Sequence, residues 1–242
     1  MSGNSIKSSI RNFVSKSYKY SKIYSEAILL NHYLDHNNIS IVLDVGANTG
    51  QYALSLRRFG YKKKIISFEP QLKEYKKILK NSSDDNNWFI HERIALGEKK
   101  RIKKIYNSKN SVSSSLKKIN PIHTRADPKS KIVSTEIVKV KKLDDIFKNY
   151  HKRNKNILLK IDTQGYEYEV LKGSIKSLKH INLIQIELSL VNLYKNQVNW
   201  LKVLNFLEKK NFRVIKFFDG FKNKKNNEFL QIDCLLKKFT NK

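Results

Sequence analysis

The stretch Ile41-Val42-Leu43-Asp44-Val45-Gly46-Ala47-Asn48-Thr49-Gly50-Gln51-Tyr52 constrains the fold of this chain more than any other. An apolar strand runs into a turn of small residues, and an amphipathic segment follows. That layout lets backbone approach a ligand closely and aims helix N–H groups at it. A second apolar run, Lys64–Phe68, then ends in Glu69 and Pro70. Strand, glycine turn, helix, strand and acid together make a nucleoside-binding layout.

The spacing of the glycines narrows the nucleoside. Gly46 and Gly50 do not reproduce G-x-G-x-x-G, and the chain has no G-x-x-x-x-G-K-[ST] motif, so neither a dinucleotide clasp nor a P-loop is indicated. A nucleoside without phosphates is favoured, and S-adenosylmethionine fits. Glu69 suits a ribose diol, because a carboxylate can accept from both hydroxyls. Its structural alternative is a charge beside a helix N-terminus. Asp44 is expected to hold the turn through backbone N–H groups, or to meet the methionine ammonium through water.

The 242 residues suffice for one well-buried domain with an N-terminal extension, and we divide them into a helical extension, 1–38, and a catalytic domain, 39–242. No window approaches the ~18 consecutive apolar residues of a membrane span. The N-terminus lacks the apolar core of a secretory signal. The lone Cys234 has no partner for an internal disulfide, so the expected location is the cytoplasm. Lys and Arg number 49 against 21 Asp and Glu, a formal charge of +28. A polyanionic partner is one reading. Codon bias is the favoured one, because the lysines are spread along the chain in company with many Asn and Ile.

Residues 5–36 carry helical spacing, with a break expected near Tyr18–Ser21. Strands are expected at 41–45, 64–69, 88–94, 101–106, 136–140, 157–161, 183–187, 212–218 and 229–236. Helices are expected at 51–59, 70–80, 143–150, 167–178 and 197–210, and residues 107–131 form the least regular stretch. Strands alternating with helices and closed by a hairpin imply a mainly parallel sheet with an antiparallel edge.

In such sheets, ligands bind beyond the carboxyl ends of the strands. The residues there are Asp44, Gly46, Glu69, Ala95, Asp162 and Glu187. Asp162 ends the apolar run Ile157–Ile161 and starts the turn Thr163-Gln164-Gly165. A carboxylate there could orient or deprotonate an acceptor hydroxyl; the plainer alternative is a helix cap. Glu187 could share the acceptor pocket, and His123, in the irregular stretch, could reach it. No metal is expected, because two acids are a weak signal and no Cys/His spacing suggests zinc. His91 reads as a core or edge residue, and the remaining histidines as surface residues.

Four blocks then resemble the FkbM family of S-adenosylmethionine-dependent methyltransferases: Leu43–Tyr52, Phe68-Glu69-Pro70, Lys160-Ile161-Asp162-Thr163-Gln164-Gly165-Tyr166-Glu167 with Val170–Gly173, and Ile186–Ser189 with Leu193-Tyr194. The serine cluster at 111–115 adds to the likeness. The resemblance implies a Rossmann-like, seven-stranded class I methyltransferase fold of the α/β class. It implies methyl transfer to oxygen, commonly a hydroxyl of a sugar, polysaccharide or secondary metabolite. It places Asp44, Gly46, Asn48, Gly50, Gln51 and Glu69 around the cofactor and Asp162 nearest the reacting methyl. The flanking Ala47, Tyr52 and Pro70, and the strand-end Ala95, are grouped with the cofactor set.

The expected partner is a small-molecule or glycan acceptor. A nucleic-acid methyltransferase is the alternative raised by the charge, and the Asp162-Thr163-Gln164-Gly165 turn argues against it, because amino-directed adenine enzymes often carry an Asp/Asn-Pro-Pro-aromatic turn there. A further alternative is a non-catalytic basic protein at a membrane surface. The N-terminal helix, with Lys7, Arg11 and Lys16 beside Ile6, Ile10 and Phe13, could meet anionic lipid, but covering the pocket or forming a homodimer contact is the favoured reading.

Overall fold

The computed structural model describes residues 25–151 and 155–239. A helix, α1, occupies residues 25–36; the earlier part of the expected N-terminal helix, with its break, lies outside the described residues. Beyond α1 come β1 (Ile39–Val45), α2 (Gln51–Arg58), β2 (Lys64–Phe68), α3 (Leu72–Asn81) and β3 (Trp88–Ile90). A second group follows: β4 (Ala95–Leu96), β5 (Arg101–Ser108), α4 (Pro121–Ala126), β6 (Ile132–Lys141) and α5 (Leu143–Ile146). The chain closes with β7 (Asn156–Ile161), α6 (Glu167–Lys172), β8 (Leu183–Ser189), α7 (Trp200–Glu208), β9 (Phe212–Asp219) and β10 (Gln231–Lys238).

Seven strands form one sheet in the order β3-β2-β1-β7-β8-β10-β9. The first five run parallel, and β10 is antiparallel to both of its neighbours. β1 and β7 read as nearly continuous apolar runs because both of their faces are covered. Ile41, Leu43 and Val45, with Leu159 and Ile161, point into a core shared with α5, α6 and α7. Val42 and Leu158 point the other way, into a core shared with α1, α2 and α3. Each such side chain, fully buried, contributes roughly 1.5–3 kcal/mol.

The strands expected at 101–106 and 136–140 form, but outside the main sheet. They pair antiparallel as β5 and β6, with β4 on the far side of β6, in a separate three-stranded sheet. Their alternating burial is the physical reason: exposed Ile102 and Ile137 alternate with buried Ile105 and Val138, as in a sheet covered on one face only. The strand expected over 88–94 stops at Ile90, and the chain turns before β4 joins the small sheet. The helix expected over 167–178 stops at Lys172, with Gly173 as its cap. Gly173 has no room for a side chain, because a Cβ there would lie 2.0 Å from the Gly97 carbonyl oxygen. The stretch 107–131 is not wholly irregular: it contains α4 and a single 3-10 turn at Pro128–Ser130.

Candidate active site

Parallel strands place their carboxyl ends along one edge, and a cavity of about 480 Å³ opens there between the main sheet and the serine-rich segment. Gly46, Ala47, Asn48, Gln51 and Tyr52 line one side, Glu69, Pro70 and Gln71 the next, and Ala95, Leu96 and Ile105 the apolar wall. Ser111, Ser114 and Ser115 form its roof, and Lys160, Asp162, Gln164 and Asp233 complete it. Its size is in the range of a small-molecule site, roughly 300–1,000 Å³.

The turn after β1 is held by main chain. Gly46 and Ala47 N–H both donate to the Phe68 carbonyl at 3.1 Å. Gly46 has φ +82°, and a Cβ on it would stand 1.9 Å from the Asp162 carbonyl oxygen. Asp162 N–H in turn donates to the Val45 carbonyl at 3.0 Å, so the turns after β1 and β7 are fastened to each other. Gly50, grouped with the cofactor contacts from sequence, does not line the cavity. Its glycine has a packing reason: φ is +89°, and a Cβ would lie 2.4 Å from the Trp88 ring.

Glu69 is buried at the end of β2 and lines the cavity. Its two oxygens accept from Asn48 N–H and Gln71 N–H, each at 2.7 Å. Burial outweighs those bonds and pushes its pKa up to about 7. A carboxylate oxygen holding one N–H retains a further lone pair for a hydroxyl. The fit to S-adenosylmethionine rests on this acid, on the Gly46–Asn48 turn that lines the cavity beside it and on the apolar wall opposite.

Asp44 lies one layer below the cavity and does not line it. It bonds neither turn N–H group, in contrast to the sequence expectation. It is the register partner of Ser67 on β2 and of Lys160 on β7. Ser67 Oγ donates to its Oδ2 at 3.2 Å, and Lys160 Nζ lies 3.2 Å from its Oδ1. Lys160 Nζ also lies 3.4 Å from Asp162 Oδ2 and 5.2 Å from the centre of the Tyr52 ring. Burial alone would discharge this ammonium, but the facing Asp44, Asp162 and Asp233 carboxylates outweigh it and hold Lys160 charged. Gln185, the next register partner, accepts from the Tyr52 hydroxyl at 2.7 Å. A polar row, Ser67–Asp44–Lys160–Gln185, thus crosses the centre of an apolar sheet. The sequence reading missed Lys160 as a site residue; its signal was a lone cation inside the buried run Ile157–Ile161.

The turn after β7 is tied by a buried acid. Glu167 Oε1 accepts from Thr163 N–H at 3.0 Å and Gly165 N–H at 2.9 Å. Its burial pushes its pKa up to about 7. The fastening leaves Asp162 on the cavity wall with its side chain 35% exposed. Gln164, at φ +56°, donates to both Asp162 Oδ1 at 2.8 Å and Glu187 Oε2 at 2.7 Å. Gln164 Oε1 accepts from the Tyr194 hydroxyl at 2.7 Å. Ser115 Oγ donates to the Gln164 carbonyl at 2.6 Å, which binds the roof to the turn.

Glu187 and His123 stand behind this turn and not on the cavity wall. Glu187 meets the site through Gln164, and Gln231 donates to the same oxygen at 2.5 Å. Burial, then the Asp162 and Asp233 carboxylates, raise its pKa well above the usual range. His123 is buried on α4 between Tyr194 and Phe221, with ring centres 5.2 and 5.4 Å away. Burial lowers its pKa to about 4, so its ring is neutral at pH 7. Its place in an aromatic cluster explains why it does not reach the cavity. Among the described residues no group of three or more His, Cys, Asp or Glu is arranged to hold a metal, and no helix is long and apolar enough to cross a membrane.

The strand order, the antiparallel β10 and the cavity at the carboxyl ends of β1, β2 and β7 define a class I methyltransferase. The sequence profile of the Methyltransferase FkbM domain matches residues 44–214, and the chain belongs to that family. Its cofactor is S-adenosylmethionine. No curated protein matches the sequence. Solved structures share the general shape at low identity. An rRNA methylase from Streptococcus thermophilus is 13% identical, with a TM-score of 0.46 over 88% of this chain and 95% of that one. A precorrin-6y C5,15-methyltransferase from Geobacter metallireducens is 11% identical, with a TM-score of 0.43 over 84% and 81%. A ribosomal protein L11 methylase from Lactobacillus delbrueckii subsp. bulgaricus is 11% identical, with a TM-score of 0.46 over 89% and 79%.

Proposed function

We propose that this methyltransferase acts on a hydroxyl oxygen of a sugar, glycan, glycolipid or secondary metabolite, with Asp162 as the residue that orients the acceptor and takes its proton. The supporting observation is the setting of Asp162: a carboxylate on the cavity wall, held by Gln164 and beside the Lys160 ammonium, at the mouth of the cofactor turn. Gln164 donates to one of its oxygens and Lys160 faces the other, which fixes the direction in which the carboxylate points. Gly46, Asn48, Gln51 and Glu69 would hold the cofactor, which supplies a methyl already activated by its sulfonium. The protein then has to align an oxygen with that methyl and exclude water, and alignment is a large share of such catalysis. The roof of Ser111, Ser114 and Ser115 closes the cavity on that side.

The test has two parts. Calorimetry with S-adenosylhomocysteine reads the cofactor site, and labelled-methyl transfer to a panel of sugar nucleotides, glycans and lipid-linked saccharides reads the acceptor. Asp162→Asn is expected to retain affinity for S-adenosylhomocysteine while turnover falls by ~10²-fold or more. Unchanged turnover removes Asp162 from the role, and transfer to RNA with none to saccharides removes the acceptor class.

A further inference from the structure

Next to the cofactor cavity, and sharing its wall residues Leu116 and Tyr166, lies a second concavity of about 390 Å³. Five cationic side chains line it, Arg101, Lys103, Lys117, Lys118 and Lys195, against the single carboxylate of Glu169. One oxygen of that carboxylate is paired, with Lys117 Nζ 2.8 Å from Oε1. Lys117 also donates to the Asn196 carbonyl at 2.7 Å, so its position is fixed. Arg101 donates to the Tyr166 hydroxyl at 2.7 Å, and Lys103 lies 4.8 Å from the centre of the same ring. Burial, then the nearby Arg101 charge, lowers the Lys103 pKa. Like charges drawn together in a concavity, five cations against one carboxylate, repel one another until a further anion joins them.

We propose that this basin binds the phosphoryl group of a phosphorylated acceptor, a sugar phosphate or a sugar diphosphate, and so sets which hydroxyl reaches Asp162. The inference deepens the acceptor reading above and rests on it. A phosphate offers several oxygens to converging Arg and Lys donors, and charge-assisted bonds of that kind are the strong ones. Tyr166 forms the divide: its ring is wall to both cavities, and its hydroxyl is anchored by Arg101 from the basin side. An anion in the basin therefore sits one aromatic ring from the cofactor cavity. A concave, local cluster suits a small phosphorylated molecule better than an extended nucleic-acid backbone, which is tracked by a groove or stripe of charge. The lysines dispersed over the rest of the chain contribute a general field, whereas these converge on one volume.

The experiment titrates inorganic pyrophosphate into the full chain by calorimetry at constant ionic strength. It compares the wild type, Lys103→Ala/Lys118→Ala/Lys195→Ala, and the charge-matched control Lys62→Ala/Lys63→Ala/Lys76→Ala, whose lysines are exposed away from the basin. Binding to the wild type and the control, with affinity at least ~10-fold weaker in the basin variant, is the expected result. Glucose 1-phosphate and UDP-glucose, run as competitors, distinguish a simple sugar phosphate from a nucleotide-linked sugar, and displacement of pyrophosphate by either supports the proposal. No binding to the wild type, or equal weakening in both variants, overturns it. So does poly(U) binding that is lost in the basin variant while pyrophosphate binding is not, which would point to a nucleic-acid track instead. S-adenosylhomocysteine is titrated into the same proteins: its failure to bind the wild type would overturn the cofactor site and leave the pyrophosphate result readable.

Discussion

Lys160 and Asp44 face each other as register partners on adjacent parallel strands, with Nζ 3.2 Å from Oδ1 in the middle of an apolar sheet. Neither side chain is more than 9% exposed. Removing one member of such a pair leaves an uncompensated buried charge, which typically costs 3–5 kcal/mol, roughly. Lys160→Met is therefore expected to lower the urea unfolding free energy by about that amount. Asp44→Asn/Lys160→Met is expected to recover much of it, because both charges are then gone. A loss below ~1 kcal/mol in Lys160→Met would show that water reaches the pair and screens it.

Two buried carboxyls make stability depend on pH. Glu69 and Glu167 both have pKa values pushed up to about 7 in the folded chain. An unfolded glutamate titrates near ~4.3. Between these values the folded state binds more protons than the unfolded one, so stability falls as pH rises. The contribution is fully present below the unfolded value and is lost as pH passes through about 7. The cofactor-free protein is expected to show a declining urea midpoint from about pH 5 to about 7.5, and Glu167→Gln is expected to flatten part of that decline. An identical slope in the variant would remove Glu167 as its source.

The Tyr194 hydroxyl lies 2.7 Å from Gln164 Oε1 and 3.0 Å from the Ser113 carbonyl, and so links the serine roof to the turn that carries Asp162. Tyr194→Phe removes that link but keeps the ring against Gly165. The lost bond is worth ~1 kcal/mol, so local opening of the turn should rise about five-fold. Hydrogen exchange of the Thr163–Glu167 amides measures it, with S-adenosylhomocysteine affinity expected to stay within ~2-fold. Unaltered exchange would mean that the Glu167 and Ser115 bonds suffice to hold the turn.

The central strands of the main sheet were legible because they announce themselves locally, as the apolar runs Ile41–Val45 and Ile157–Ile161 do, whereas their total of seven came only from the family resemblance. Glu69 and Asp162 were legible for the same reason, since strand ends fall where ligands bind. What stayed hidden depends on pairing between distant segments. Nothing near Lys160 says that it will stand opposite Asp44, and nothing near Arg101 says that β5 will leave the main sheet. His123 and Glu187 carry suitable chemistry in suitable regions, yet packing turned both away from the cavity wall. Gly50 looked like a ligand contact and proved to make room for Trp88.

The cofactor turn and Asp162 ride on β1 and β7, whose ends are fastened main chain to main chain at Gly46. Arg101 and Lys103, by contrast, belong to β5 of the small sheet, which is built from a single insertion between β3 and β7. The same insertion also supplies Ala95, Leu96, Ile105 and the serine roof of the cofactor cavity, so a change in it would alter the cofactor wall and the basic basin together.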